Sequence, residues 1–373
     1  MTARIPALDG LRGLAALCVL TFHVWLYRDG TPARVDRGDV VDSTLSSLRI
    51  ALIFFFVLSG FLLARDLRRW LEEGERAATL RRYAGRCARR ILPAYWVSLA
   101  GALALVWGGS PEAGIRLPPA ERLWAYVVLG QNHFADTVLR LNPVTWTLAV
   151  EVAFYALLPV LAAGLALMRV RSLAVAAVVL LAATLAVNLV AHLESWPLTA
   201  RRSVLPYLGY FGLGMAVAWA AGRRDGPLGA ATTPGLVCGG LAAVAATAAW
   251  QLSVARPGGD LGIGVLQHLP AGIGFAALVW AGAQGSGPAA AALSLRPLAA
   301  LGVVSYGFFL WHVPILWALN RLGDWPGGAL WAATAGLSLG AAALSWRLLE
   351  RPLLKSPATL PRPWTSSRRS SSA

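Results

Sequence analysis

Charged side chains are scarce in this chain: 14% of its 373 residues are Asp, Glu, Lys or Arg, against about 25% in ordinary soluble domains. With 57% hydrophobic residues beside that scarcity, a soluble enzyme is excluded and most of the chain belongs in lipid. Cysteine is also rare. Cys18, Cys87 and Cys238 are an odd number, lie far apart and show no metal-ligand spacing. They support neither a disulfide framework nor a zinc site and read as small core residues. Acidic residues are the third shortage, 18 against 33 basic ones, for a formal net charge of +15. Nucleic acid does not account for that excess, because long apolar runs separate the arginines instead of one solvated basic face. A cleavable signal peptide is missing as well. Asp9 and Arg12 interrupt the first apolar stretch and no small-residue cleavage site follows, so this stretch reads as a retained helix.

What the sequence does have is a series of apolar runs. A hydrocarbon core about 30 Å thick needs about 20 apolar residues per helix. Ten runs bounded by charge, Gly or Pro fit, at 7–27, 48–65, 90–108, 143–167, 172–192, 203–221, 233–253, 262–283, 297–320 and 328–349. The expected fold is therefore an all-α integral membrane protein, one bundle of about ten transmembrane helices. The stretch 119–134, "PAERLWAYVVLGQNHF", has too short an apolar middle to span and is expected to be re-entrant or interfacial. Residues 1–352 form the membrane domain, and 353–373 read as a disordered Pro, Ser and Arg tail.

Short loops rich in Lys and Arg stay cytoplasmic, and the loop 65–90 carries nine arginines. Placing it inside puts both termini inside. The inner segments then hold 21 basic and 6 acidic residues, the outer ones 11 and 10. Nearly all the net charge falls on one face, as expected for a multi-pass protein of the inner (plasma) membrane.

Ionisable side chains inside the hydrocarbon cost at least about 2.5–3.5 kcal/mol on insertion scales and are usually functional. Four stand out: Arg12, His23, Glu151 and His312. At 1.5 Å per residue, Arg12 lies in the inner half of the first helix and His23 about 16 Å further out. Counted from the helix ends, Glu151 and His312 are expected at the level of His23. Thr147, Glu151 and Tyr155 share one stripe of their helix, and Ser305, Phe309 and His312 share another. A lone transmembrane His is often a packing residue, and Arg12 could snorkel beside Asp9. Three polar groups at one depth point instead to a site, either proton-relaying transport or a His and carboxylate pair that deprotonates a hydroxyl.

The opening "LDGLRGLAALCVLTFH" at 8–23 and five further motifs then coincide with a known pattern. They are "FFFVLSGFLLAR" at 54–65, "RRILPAYW" at 89–96, "WTLAVEVAFYALLP" at 146–159, "SYGFFLWH" at 305–312 and "ERPL" at 350–353. In these motifs the chain resembles the membrane-bound acyltransferase 3 family, from the first helix to the tenth. One departure is modest: the Trp-Ser-Leu common before the glutamate is Trp146, Thr147 and Leu148 here, which keeps a hydroxyl. Many members carry a fused extracytoplasmic esterase-like domain that this sequence lacks, so direct delivery of the acceptor is expected.

The resemblance implies an acyl-CoA-dependent O-acyltransferase, with acyl-CoA as donor substrate, acetyl-CoA above all, and no permanently bound cofactor or metal. The acceptor would be a hydroxyl of a carbohydrate, either a cell-envelope glycan or a glycosylated natural product such as a macrolide. His23, Glu151 and His312 are the implied catalytic groups, with His23 as general base and Glu151 orienting its imidazolium. Arg12, Arg86, Arg89 and Arg90 would bind the donor, since guanidinium forks suit phosphate oxygens. Ser59, Trp146, Thr147, Tyr155, Ser305 and Tyr306 would line the acceptor site. The alternative is a proton-coupled transporter or flippase of a glycan or lipid-linked intermediate.

Overall fold

In lipid the backbone must satisfy its own hydrogen bonds, and the apolar runs do so as helices. A computed structural model of the chain describes residues 4–28, 40–73, 77–106, 116–168, 172–224, 226–229, 231–253 and 265–355. Ten helices of fourteen residues or more occur among them, and no strand. They are α1 (Pro6–Tyr27), α2 (Ala51–Glu73), α3 (Ala77–Val106), α4 (Thr145–Leu167), α5 (Leu173–Leu193), α6 (Leu208–Ala221), α7 (Thr232–Ser253), α8 (Leu269–Gln284), α9 (Arg296–Asn320) and α10 (Gly327–Ser345).

Eight of the expected spans are long and apolar enough to cross a membrane. The other two are α3, whose first half is rich in arginine, and α8, a shorter apolar helix of 16 residues. Part of the expected span 262–283 lies outside the described residues. The C-terminal boundary differs from expectation. The tail was expected from 353, yet the helix continues through a π turn at Trp346–Glu350 and on to Lys355. The remaining tail residues, 356–373, lie outside the described residues.

At the centre α1 and α9 run parallel. Gly13 faces Leu298 and Gly302, His23 faces His312, and Tyr27 meets Trp317 edge-on with ring centroids 5.5 Å apart. A Cβ built on Gly302 would stand 1.8 Å from the backbone oxygen of Asp9. Only glycine permits this approach, the usual device where lipid supplies no drive for helices to associate.

The segment between α3 and α4 carries three short helical turns, Ala120–Arg122, Leu123–Val127 and Gln131–His133. None is long enough to span. The segment buries Tyr126, Gln131, Asn132 and Asn142 against the bundle, and Leu129, Leu139 and Leu141 adopt left-handed backbone angles that cost a non-glycine residue energy. Its anchor has a local cause. Pro314 has no N–H to give the Leu310 carbonyl one turn back, and Asn142 Nδ2 donates to that carbonyl at 2.9 Å. Asn142 therefore sits at the level of Leu310, ten residues, or about 15 Å, below the end of α9. Helix α4 begins three residues later, well inside the bundle.

Candidate active site

Five helices converge on one cavity. Arg12 of α1, Ser59 of α2, Arg90 of α3, Thr147, Glu151 and Tyr155 of α4, and Ser305 and Tyr306 of α9 all line it. Its empty volume is about 820 Å³, open solvent at the mouth included. Along α2 the lining runs from Leu52 to Leu62, so the cavity is about 15 Å long. Arg90, exposed, stands at the end near Arg12 and Leu62. Phe55 and Phe309, 6.4 Å between ring centroids, close off the region toward the C-terminal end of α9.

Glu151 is the hub of the polar wall. Its carboxylate Oε1 accepts hydrogen bonds from the Ser59 hydroxyl and from the Tyr155 hydroxyl, the latter at 2.6 Å. Tyr155 sits one turn beyond Glu151, as the i, i+4 stripe requires. Its own backbone carbonyl is freed by Pro159 four residues on and accepts from Tyr83 Oη at 3.0 Å, tying α3 to α4. The Tyr306 hydroxyl donates to the Ile91 carbonyl at 2.8 Å and ties α3 to α9. Arg12 Nη1 lies 3.8 Å from Asp9 Oδ1, and its charge also interacts with those of Glu151 and Arg90.

The two histidines form a separate pair one turn beyond the cavity, behind Phe309, whose ring centroid is 5.8 Å from that of His312. His312 is buried, and its Nε2 lies 3.1 Å from His23 Nδ1. His312 Nδ1 lies 2.7 Å from the Phe309 carbonyl oxygen, and His23 Nδ1 lies 2.9 Å from that of Val19. Carbonyls only accept, which assigns the neutral tautomers. His312 carries its hydrogen on Nδ1 and accepts at Nε2. His23 carries its hydrogen on Nδ1, shared between Val19 O and His312 Nε2, and its own Nε2 is left as a bare base.

The contact expected between Glu151 and His23 is replaced by these two clusters. Among the described residues His312, not Glu151, is the side chain bonded to the His23 ring, while Ser59 and Tyr155 hold Glu151. The reason is depth. The expectation counted Glu151 from an α4 that begins at the membrane surface. Because α4 begins near Leu310, Glu151 falls a turn or two deeper, level with Ser305 and Arg12. Of the other expected residues, Arg86 bonds Asp66 at 2.9 Å outside the cavity, and Arg89 does not line it. Trp146 turns away, its ring 5.6 Å from Tyr207 and 4.0 Å under the Arg202 guanidinium. Phe55 and the Phe56 beside it are lining residues that their apolar character concealed.

Among the described residues no group of His, Cys, Asp and Glu could hold a metal ion. A family model described as an acyltransferase domain, acyltransferase 3, matches residues 5–350. The chain is similar to the exopolysaccharide production protein ExoZ of Rhizobium meliloti (strain 1021), 29% identical over 328 residues that cover 81% of this chain and 88% of that protein. No solved structure matches. With that match over nearly its whole length, the chain belongs to the acyltransferase 3 family of membrane acyltransferases.

Proposed function

We propose that this protein transfers a short acyl group, acetyl above all, from acyl-coenzyme A to a carbohydrate hydroxyl, as a ten-span protein of the plasma membrane with both termini in the cytoplasm. The observation that carries the reading is the His23–His312 pair beyond one end of a narrow cavity whose other end holds Arg12 and Arg90. Arginine forks at a mouth suit the donor's phosphates, and a cavity about 15 Å long suits its thin pantetheine arm. The production of an exopolysaccharide, named for the similar Rhizobium protein, supports a glycan acceptor.

In this reading His23 Nε2 takes the proton of the acceptor hydroxyl as its oxygen attacks the thioester carbonyl. The tetrahedral intermediate collapses, the C–S bond breaks, and the leaving thiolate takes the proton back from His23 Nε2–H. His312 Nε2 accepts the His23 Nδ1–H throughout, holds the ring's orientation and stabilises the imidazolium. Glu151 keeps Ser59 and Tyr155 in place along the donor cavity and balances Arg12. Arg86 and Arg89 extend the basic approach along α3.

The test is purified protein in lipid nanodiscs with radiolabelled acetyl-CoA and a panel of oligosaccharides. Labelled saccharide and one free thiol per transfer are expected. Absence of both, with the protein folded, overturns the reading, and a transporter would release no thiol.

A further inference from the structure

A second cavity lies at the other end of α4's first turns. It is bounded by His192, Arg201, Tyr207, Tyr210, Gln267 and His268, among others, and encloses about 540 Å³, open solvent included. No carboxylate is among its described lining residues. The wall beside it is incompletely bonded. Asn132 Oδ1, Arg202 Nε and Ser203 Oγ are buried and have no hydrogen-bond partner among the described residues. Asn132 is held there by donating to the carbonyls of Trp146 and Arg202, at 2.8 and 2.9 Å. Buried polar atoms are rarely left this way, and three together call for an account.

The two cavities share a thin aromatic partition. Phe56 lines the first and Tyr207 the second, with ring centroids 5.2 Å apart. Trp146 closes the same partition, its ring tilted against Tyr207 and under the Arg202 guanidinium. Along α4, Trp146 at this end and Tyr155 near the Arg90 end are nine residues, or about 14 Å, apart. The second cavity thus lies toward the end of the bundle opposite the α3 arginines.

We propose that this second cavity is the acceptor site, and that its ligand is a sugar carrying a negatively charged group such as a uronate. Tyrosine faces offer a platform for a pyranose ring, while amides, imidazoles and hydroxyls match its alcohols. Arg201, which lines the cavity and is held by donating from Nε and Nη2 to the Trp196 and Ala191 carbonyls, supplies the positive charge for the anion. One sugar hydroxyl would then reach the donor cavity across the Phe56–Tyr207 partition. Donor and acceptor would enter from opposite faces of the membrane. This rests on the transferase reading given above, in that the saccharide bound here is the one acylated.

The experiment separates the two ideas by reading binding without turnover. Cellobiouronic acid and neutral cellobiose are titrated onto the full chain in nanodiscs of uncharged lipid, so that no headgroup provides the anion, and followed by saturation-transfer NMR. Expected is binding of the acidic disaccharide, at least tenfold weaker binding of cellobiose, and a tenfold loss for Arg201→Gln and Tyr210→Phe. The second variant removes one oxygen and guards against a folding failure in the first. No binding by the unaltered protein, or equal binding by protein and both variants, overturns the site. Saccharide binding without acyl transfer would leave the site standing and remove the transferase reading. Transfer whose acceptor KM ignores both substitutions would do the reverse.

Discussion

His23 is positioned to act through Nε2 because its other nitrogen is committed to Val19 O and His312. Replacing His23 with Ala should lower turnover about 10²–10⁴-fold, the usual worth of a positioned general base, with expression and melting temperature little changed. Turnover within a few-fold of normal would remove His23 from the mechanism. In the proposed mechanism His312 acts through its bond to His23, so a substitute that still accepts a hydrogen bond should do better than one that cannot. His312→Gln is expected to retain more turnover than His312→Ala while donor KM stays constant in both, which a kinetic comparison of the two would decide. Glu151→Gln keeps the shape but weakens the acceptor offered to Ser59 and Tyr155 and leaves Arg12 with less countercharge. It should reduce kcat more than it raises donor KM. A change confined to KM would make Glu151 a donor-binding group only.

Among elements, the pairing of Pro314 with Asn142 makes the sharpest claim. The proline removes a donor from the Leu310 carbonyl, and the Asn142 amide replaces it. Asn142→Ala should destabilise the protein by about 1–3 kcal/mol, the cost of a buried carbonyl left unbonded. Adding Pro314→Ala restores an N–H within α9 and should recover part of that loss. Thermal unfolding of the single and double variants in detergent reads both effects, and additive destabilisation would refute the compensation. The α1–α9 contact makes another. With a Cβ at position 302 only 1.8 Å from the Asp9 oxygen, Gly302→Ala must push the two helices apart. That costs about 1–3 kcal/mol as overpacking. Because the same pair carries His23 and His312, turnover should fall with stability although residue 302 touches no substrate.

For the molecule as a whole, the uneven charge makes topology testable. With the α3 arginines in the cytoplasm, single cysteines introduced near Arg86 and near Arg201 should react oppositely with a membrane-impermeant thiol reagent on intact cells. Only the Arg201 position should label, and labelling at both or only near Arg86 would reverse the orientation.

The sequence by itself determined the helices, because a backbone in lipid has no alternative to internal hydrogen bonding, and apolar length therefore reads directly as secondary structure. The expected span 143–167 and the observed Thr145–Leu167 differ by two residues at one end. It also singled out residues that line the cavity or pair beside it, since an ionisable group in hydrocarbon is too costly to leave facing lipid. Arg12, His23, Glu151 and His312 were legible for that reason. Their partners were decided by tertiary structure. Counting from helix ends assumes that every helix starts at the membrane surface, and the Asn142 side chain, anchored 168 residues away on the Leu310 carbonyl that Pro314 leaves free, draws α4 inward. The depth of Glu151 is set by that distant contact. The aromatic partition and the second cavity beside it likewise take residues from helices and loops whose adjacency no local pattern encodes.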